Sequence, residues 1–344
     1  MTTRRNFLFT AAAATAAASR LSGSPSTPPR TKMGIASTCY MTVRKVYKIE
    51  DLLDRAEALG AGGVQGSLSS TDSEYLKNIR ARAERLGMYL EVMGSLPKDD
   101  DTAKFEATLA AAKQVGARCV RSACLGSRRY ETFKDLAEWN TFVRTSHARI
   151  DRVLPIVEKH GVPLALENHK DWTADEMAAL MKAKSSPLLG VCLDTGNNIS
   201  LLDDPMYVIE TLAPYAFCTH LKDMGVAPYE DGFLLSEVVL GTGILDLKRV
   251  VETIHKARPE TRISLEMITR DPLKVPCFTD RYWATFPHRD GLYLARTVRL
   301  VRDRQSKQPL PTLEGLDHEA QLKVEQENIE KCLAYARAEL NTVL

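Results

Sequence analysis

Residues 216–224 read AFCTHLKDM, a short apolar run that finishes in a histidine, a lysine and an aspartate. As a strand it sets Cys218, His220 and Lys222 on one face and Phe217, Thr219 and Leu221 on the other. A polar row at the end of a buried strand needs partners supplied from elsewhere in the chain. Seven further runs have the same character: KMGIAS, GGVQGS, YLEVMG, ARCVRSA, VPLALEN, LGVCLD and RISLEM. Between them lie segments of helical period such as IEDLLDRAEALGA, DSEYLKNIRARAERLG and KFEATLAAAKQVGA, each ending near a glycine. Eight strands alternating with helices predict a parallel sheet, and the short units favour closure into a (β/α)8 TIM barrel over an open doubly wound sheet. No GxGxxG follows the first strand, as a dinucleotide-binding sheet would require.

The chain of 344 residues is 44% hydrophobic and 26% charged, an ordinary balance for a folded protein with a large core. Its formal charge of +2 hides an asymmetry, because residues 1–30 hold Arg4, Arg5, Arg20 and Arg30 and no acid, leaving −2 on the remainder. That remainder offers no electrostatic footprint for nucleic acid or an anionic membrane. The opening TRRNFLFTAAAATAAAS pairs two arginines with an alanine-rich run too short to span a bilayer, then breaks at SGSPSTPPR. It resembles a twin-arginine (Tat) signal, which is read by an export machinery that carries folded proteins. The expected location is therefore the periplasm or the cell exterior. Seven cysteines occur without a CxxC pair, and Cys119, Cys192 and Cys218 fall within apolar runs, so buried free thiols are expected. The domain reading is a signal and linker over 1–30, a barrel over 31–305 and a helical extension over 306–344. The helix of that extension, about residues 316–341, carries a stripe of Leu322, Ile329, Leu333, Ala336 and Leu340 that suits the barrel or a second copy of the chain in a homo-oligomer.

In a barrel of this type active residues sit at the C-terminal ends of the strands. VPLALENHKD ends in Glu167, Asn168 and His169, LGVCLDTGNN in Asp194, FCTHLKD in His220 and RISLEMITRD in Glu266. The intervals of 27, 26 and 46 residues between the four fit successive barrel units, the last enlarged by GVAPYEDGFLLSEVVLGTG. Three carboxylates brought together repel unless a cation neutralises them. One divalent ion resolves this, and an oxygen-rich set with one nitrogen suits Mn²⁺ first, then Mg²⁺ or Co²⁺, with Zn²⁺ less well matched.

From about Met33 to Arg304 the chain resembles the sugar phosphate isomerase/epimerase family, the xylose-isomerase-like TIM barrels, through LALENH, CLDTGN, THLKD, GTGILD and LEM. The resemblance implies one divalent metal held by Glu167, Asp194, His220 and Glu266, with Glu167 and Glu266 also moving protons beside a carbonyl. It departs from the ketose 3-epimerases, which carry a histidine and an arginine where this chain has Asn197 and Val226, and its HLKD run is similar to the inosose dehydratase side. A metal gripping a carbonyl and a neighbouring hydroxyl stabilises an enediolate, from which epimerisation, isomerisation and elimination all branch. The expected activity is an isomerase or epimerase of an unphosphorylated sugar or keto-sugar. The rivals are a lyase on a keto-sugar, 3-keto-glycoside or inosose-like ketone, and a non-catalytic carbohydrate-binding protein. His169 is the base suggested by the residues themselves, since it shares a face with Glu167. Lys222 is expected to project into the mouth toward a developing oxyanion. Arg121, Arg128, Arg129, Arg270 and Arg281 are candidates for sugar hydroxyls, and Tyr40, Trp172, Tyr229 and Trp283 for stacking on a sugar ring.

Overall fold

A computed structural model describes residues 28–40 and 48–344, so the arginine pair and alanine run of the export reading lie outside the described residues. The eight expected runs form a closed parallel barrel: β1 (Gly34–Ala36), β2 (Gly63–Gly66), β3 (Tyr89–Met93), β4 (Val120–Ser122), β5 (Leu164–Glu167), β6 (Leu189–Asp194), β7 (Ala216–Leu221) and, closing the ring against β1, the strand Arg262–Leu265. Two strands intervene before the last, β8 (Asp223–Tyr229) and β9 (Gly232–Val238), so Arg262–Leu265 is β10 and Leu273–Val275 is β11. The segment that sequence left as an enlarged unit is thus an antiparallel β8–β9 hairpin, and β11 adds to it as a third strand outside the barrel.

Alternation explains both faces of the barrel strands. Leu164 and Leu166 of β5, Val191 and Leu193 of β6, and Ile263 and Leu265 of β10 point outward into one core shared with the surrounding helices. Each such side chain contributes about 1.5–3 kcal/mol by leaving water. Their neighbours turn into the lumen. There Cys119, Ala165, Cys192 and Cys218 form a small, fully buried layer beneath the strand ends. All seven cysteines are buried free thiols, as expected from their setting. The lumen floor is closed by Tyr89, whose hydroxyl accepts from Gly34 N (3.0 Å) and donates to Ile263 O (2.8 Å). Gly34 leaves room for that ring, since a Cβ there would lie 2.8 Å from Tyr89 Cζ.

The helices end as their sequences suggest, with Gly60, Gly87 and Gly161 in the left-handed conformation that releases the chain toward the next strand. The tail folds as a helix over His318–Tyr335 and continues in a wider turn over Ala336–Leu340. Ile329, Cys332, Leu333, Ala336 and Leu340 are buried in the main core, while Leu322 is half-buried. Among the described residues no helix is long and apolar enough to cross a membrane.

Candidate metal centre and substrate mouth

The four residues singled out at the strand ends converge. Glu167 closes β5, Asp194 closes β6, His220 sits one residue from the end of β7, and Glu266 follows β10 directly. A donor atom of each lies within 4.8 Å of those of the other three. His220 Nδ1 is 3.1 Å from Glu266 Oε1, 3.5 Å from Glu167 Oε1 and 3.9 Å from Asp194 Oδ2.

The opposite ring nitrogen fixes which way His220 faces. Gln65 Nε2 donates to Glu91 Oε2 (2.9 Å), which leaves the Gln65 amide oxygen to accept from His220 Nε2 at 2.6 Å. Nδ1 makes no hydrogen bond and is fully buried. An orphaned nitrogen facing three carboxylates is the arrangement a divalent cation satisfies, so these residues fit one. Burial works against charge on His220, yet Cys192 and Glu266 beside it outweigh burial and push it up to about 10. A proton on His220 thus occupies the position a metal would take. Burial opposes the charge of Glu266 as well, but His220 and Lys222 hold its carboxyl well below the usual range.

The remaining motif residues hold this cluster in place. Asp194 Oδ1 accepts from Gly196 N (2.9 Å) and Asn197 N (2.7 Å), and Asn168 bridges β5 to β6 by donating to Asp194 O and accepting from Asp194 N. Asn197 Nδ2 donates to Glu167 Oε1 at 3.1 Å. Asp223, the last polar residue of AFCTHLKDM, accepts from the backbone of Met224, Gly241, Gly243 and Leu245 and ties the GTGIL loop to the barrel rim. The opening stretch therefore divides its labour: His220 faces the carboxylates, Lys222 neutralises them, and Asp223 anchors a loop.

Lys222 does not project freely into the mouth. Its ammonium is buried, 2.8 Å from Asp194 Oδ2 and 2.5 Å from Glu266 Oε2, with Glu237 Oε1 of β9 at 3.8 Å. Burial alone would discharge it, but Asp194 and Glu266 prevail and keep it protonated. His169 is half-buried at the rim, with Nδ1 unbonded, and burial together with Lys170 and Arg121 keeps the ring neutral. Arg121 pairs with Glu167, and Arg270 pairs with Glu237 through Nε at 3.0 Å. Three of the arginine candidates go elsewhere: Arg128 pairs with Glu131 on the surface, Arg281 caps a backbone carbonyl, and Arg129 is wholly buried between Trp139 and Phe286 while bonded to Glu176. Two of the stacking candidates are corrected likewise, and the other two have partners within the chain. Tyr40 and Trp172 are buried core residues, Trp283 packs on Tyr282, and Tyr229 bonds Asp231 at the hairpin tip.

Sequence reasoning missed Gln65, Glu91, Lys170 and Glu237. Lys170 could have been noticed in ENHKD; it is 3% exposed, adopts a left-handed φ of 56°, and donates to Asn197 Oδ1. The cluster itself is closed, with Glu167, Asp194 and His220 at 0% exposure, while Arg121, His169 and Arg270 beside it are partly open.

Residues 53–285 match the xylose isomerase-like TIM barrel family. The chain belongs to that family. Over 217 residues it is 30% identical to the 3-oxo-isoapionate decarboxylase of Pectobacterium atrosepticum, a match spanning 61% of this chain and 73% of the decarboxylase. Among solved structures of xylose isomerase-like fold, a D-psicose 3-epimerase crystallised in the presence of D-fructose superposes with a TM-score of 0.59 at 17% identity, covering 90% of this chain and 99% of the epimerase. A xylose isomerase-like protein from Mycobacterium smegmatis in complex with magnesium gives 0.51 at 16%, covering 77% and 97%. At such identities the two structures establish the shared fold.

Proposed function

We propose that this protein is a divalent-metal-dependent enzyme acting on an unphosphorylated, sugar-derived ketone through proton movement beside the carbonyl. The observation that carries the reading is the unbonded His220 Nδ1 turned toward Glu167, Asp194 and Glu266 in the buried cluster at the barrel's strand ends. A divalent ion there, Mn²⁺ by preference for its donor set, would polarise the substrate carbonyl and offset the negative charge that develops next to it.

The chain's own residues supply the rest. His169, neutral and with a free ring nitrogen at the rim, takes the role of base, and Glu167 and Glu266 are the carboxylates placed to return or relay the proton. Lys222 restrains Asp194 and Glu266 and presents a fixed positive charge to an oxygen turning anionic. The closed cluster excludes water from this exchange.

The first reading is isomerisation or epimerisation. A second, elimination of water or loss of CO₂ beside the ketone, is favoured by one observation: the position that ketose 3-epimerases fill with histidine holds Asn197, which accepts from two lysines, Lys170 and Lys222. The similarity to a 3-oxo acid decarboxylase supports the same branch. Location outside the cytoplasm through the Tat machinery is proposed from the arginine pair alone, and it favours an unphosphorylated substrate.

Metal-loaded protein incubated in D₂O with sugars, 3-keto-glycosides and 3-oxo sugar acids, read by NMR, separates the branches. Deuterium beside the carbonyl with the skeleton intact marks isomerisation or epimerisation, and a dehydrated product or released CO₂ marks lysis. A protein that binds no divalent ion through the His220 cluster would falsify the proposal.

A further inference from the structure

We propose that Lys170 is the contact for a carboxylate of the substrate, which makes the substrate class a keto-sugar acid and not a neutral sugar. The inference rests on the metal-dependent reading above and narrows it.

The observation is a buried cation without an anion. Lys170 is 3% exposed, and among the described residues the hydrogen bond of its ammonium goes to the neutral amide oxygen of Asn197. The other cations of the site differ. Lys222 has Asp194 and Glu266, Arg121 has Glu167, and Arg270 has Glu237. An unpaired charge held out of water is costly, so such a group either discharges or meets an anion. The cost is visible in Lys170 itself, whose ammonium is pulled down to about 7 by burial first and by Lys222 and Arg270 next. An anion beside it reverses that pull.

Position makes the substrate the fitting anion. Asn197 takes Lys170 and Lys222 on its oxygen, the latter at 3.4 Å, and gives its nitrogen to Glu167 at 3.1 Å. Lys170 is thus one side chain removed from the candidate metal cluster and within electrostatic reach of the Arg270–Glu237 pair. Charge balance agrees, and the site stays net positive with a divalent ion bound even when Lys170, held at about 7, is discharged. Glu167, Asp194, Glu266 and Glu237 are matched by Lys170, Lys222, Arg121 and Arg270, so a divalent ion leaves the site with a net positive charge that an anionic substrate offsets. The left-handed φ of 56° at a non-glycine residue also shows that surrounding structure holds Lys170 in place against its own preference.

The test uses a matched pair of unreactive probes, D-gluconate and D-glucitol, which differ in the carboxylate. Mn²⁺ is titrated into the full chain first; failure to bind overturns the proposed function. With Mn²⁺ bound, calorimetry is expected to show gluconate binding at least about ten-fold more tightly than glucitol, the effect of one charge-assisted contact. Lys170→Met should erase that preference while Mn²⁺ stoichiometry and glucitol binding stay unchanged, and Lys170→Arg should keep part of it. Mn²⁺ binding with no gluconate preference in the unmutated chain overturns the Lys170 assignment alone, whether or not the variants fold. A preference that survives Lys170→Met overturns it too, because gluconate is then held by the metal.

Discussion

The amide oxygen of Gln65 lies 2.6 Å from Nε2 of His220, and Glu91 orients that amide from below. Two side chains on β2 and β3 thereby decide which nitrogen of a β7 histidine faces the carboxylates. Gln65→Leu, which fills the space without the acceptor, should weaken divalent metal binding by roughly 10- to 100-fold, the usual effect of losing such a partner. Calorimetric titration of Mn²⁺ checks it. An affinity within error of the unmutated protein would show that the ring is held by the cluster alone.

Metal binding should be strongly proton-linked. His220 is pushed up to about 10 in the absence of a cation, so at neutral pH a metal must displace its proton. Affinity should rise by about ten-fold per pH unit below that value. Titrations in buffers of different ionisation enthalpy should report close to one proton released per ion. A pH-independent affinity contradicts the assignment of His220 Nδ1 as a ligand.

Glu91 predicts a pH dependence of stability. Burial raises its carboxyl from 4.5 to about 8, with Gln65 and Ser264 opposing less strongly. The folded chain therefore holds this proton more tightly than the unfolded chain does. The stabilisation is complete below the unfolded value and is lost as pH rises through the folded one. Glu91→Gln keeps the shape of the neutral form, so its melting temperature should overtake that of the unmutated protein between about pH 5 and pH 9. Parallel melting curves across that range would remove Glu91 as the titrating group.

Lys222→Met separates charge from fit. It removes a cation that neutralises Asp194 and Glu266, so metal should bind more tightly, while turnover should fall by roughly 10²-fold for loss of a fixed donor to developing charge. Retained kcat would assign the lysine to holding the empty cluster together.

Export is tested by replacing Arg4 and Arg5 with lysine and following the protein by cell fractionation. The Tat reading expects folded protein stranded in the cytoplasm. Secretion unchanged by the double substitution contradicts it.

The barrel was legible because its strands alternate outward aliphatics such as Leu164 and Leu166 with inward residues that are small or polar, and because glycines mark the helix ends. The order of Glu167, Asp194, His220 and Glu266 was legible for the same reason, each standing at the end of such a run. What escaped was set by pairing between distant strands. Gln65 reads as an ordinary β2 residue until β7 brings His220 across the lumen, 155 positions away. Glu237 is hidden in a stretch whose hairpin depends on tertiary pairing with β11. Trp172 falls in a loop by sequence, yet Trp139 and Phe142 of a neighbouring helix enclose it.

The closure of β1 against β10 also has a temporal side. Gly34 pairs with Ser264, and the floor beneath them is tied by Thr31 to Asn341 and by Lys32 to the carbonyl of Leu344. During synthesis the first strand must wait, unpaired on one edge, until Arg262–Leu265 has left the ribosome. Such long-range pairing makes folding slow. A chain broken off before β10 would hold β1 to β7 and still have an open seam, which the contacts of Thr31 and Lys32 could not close.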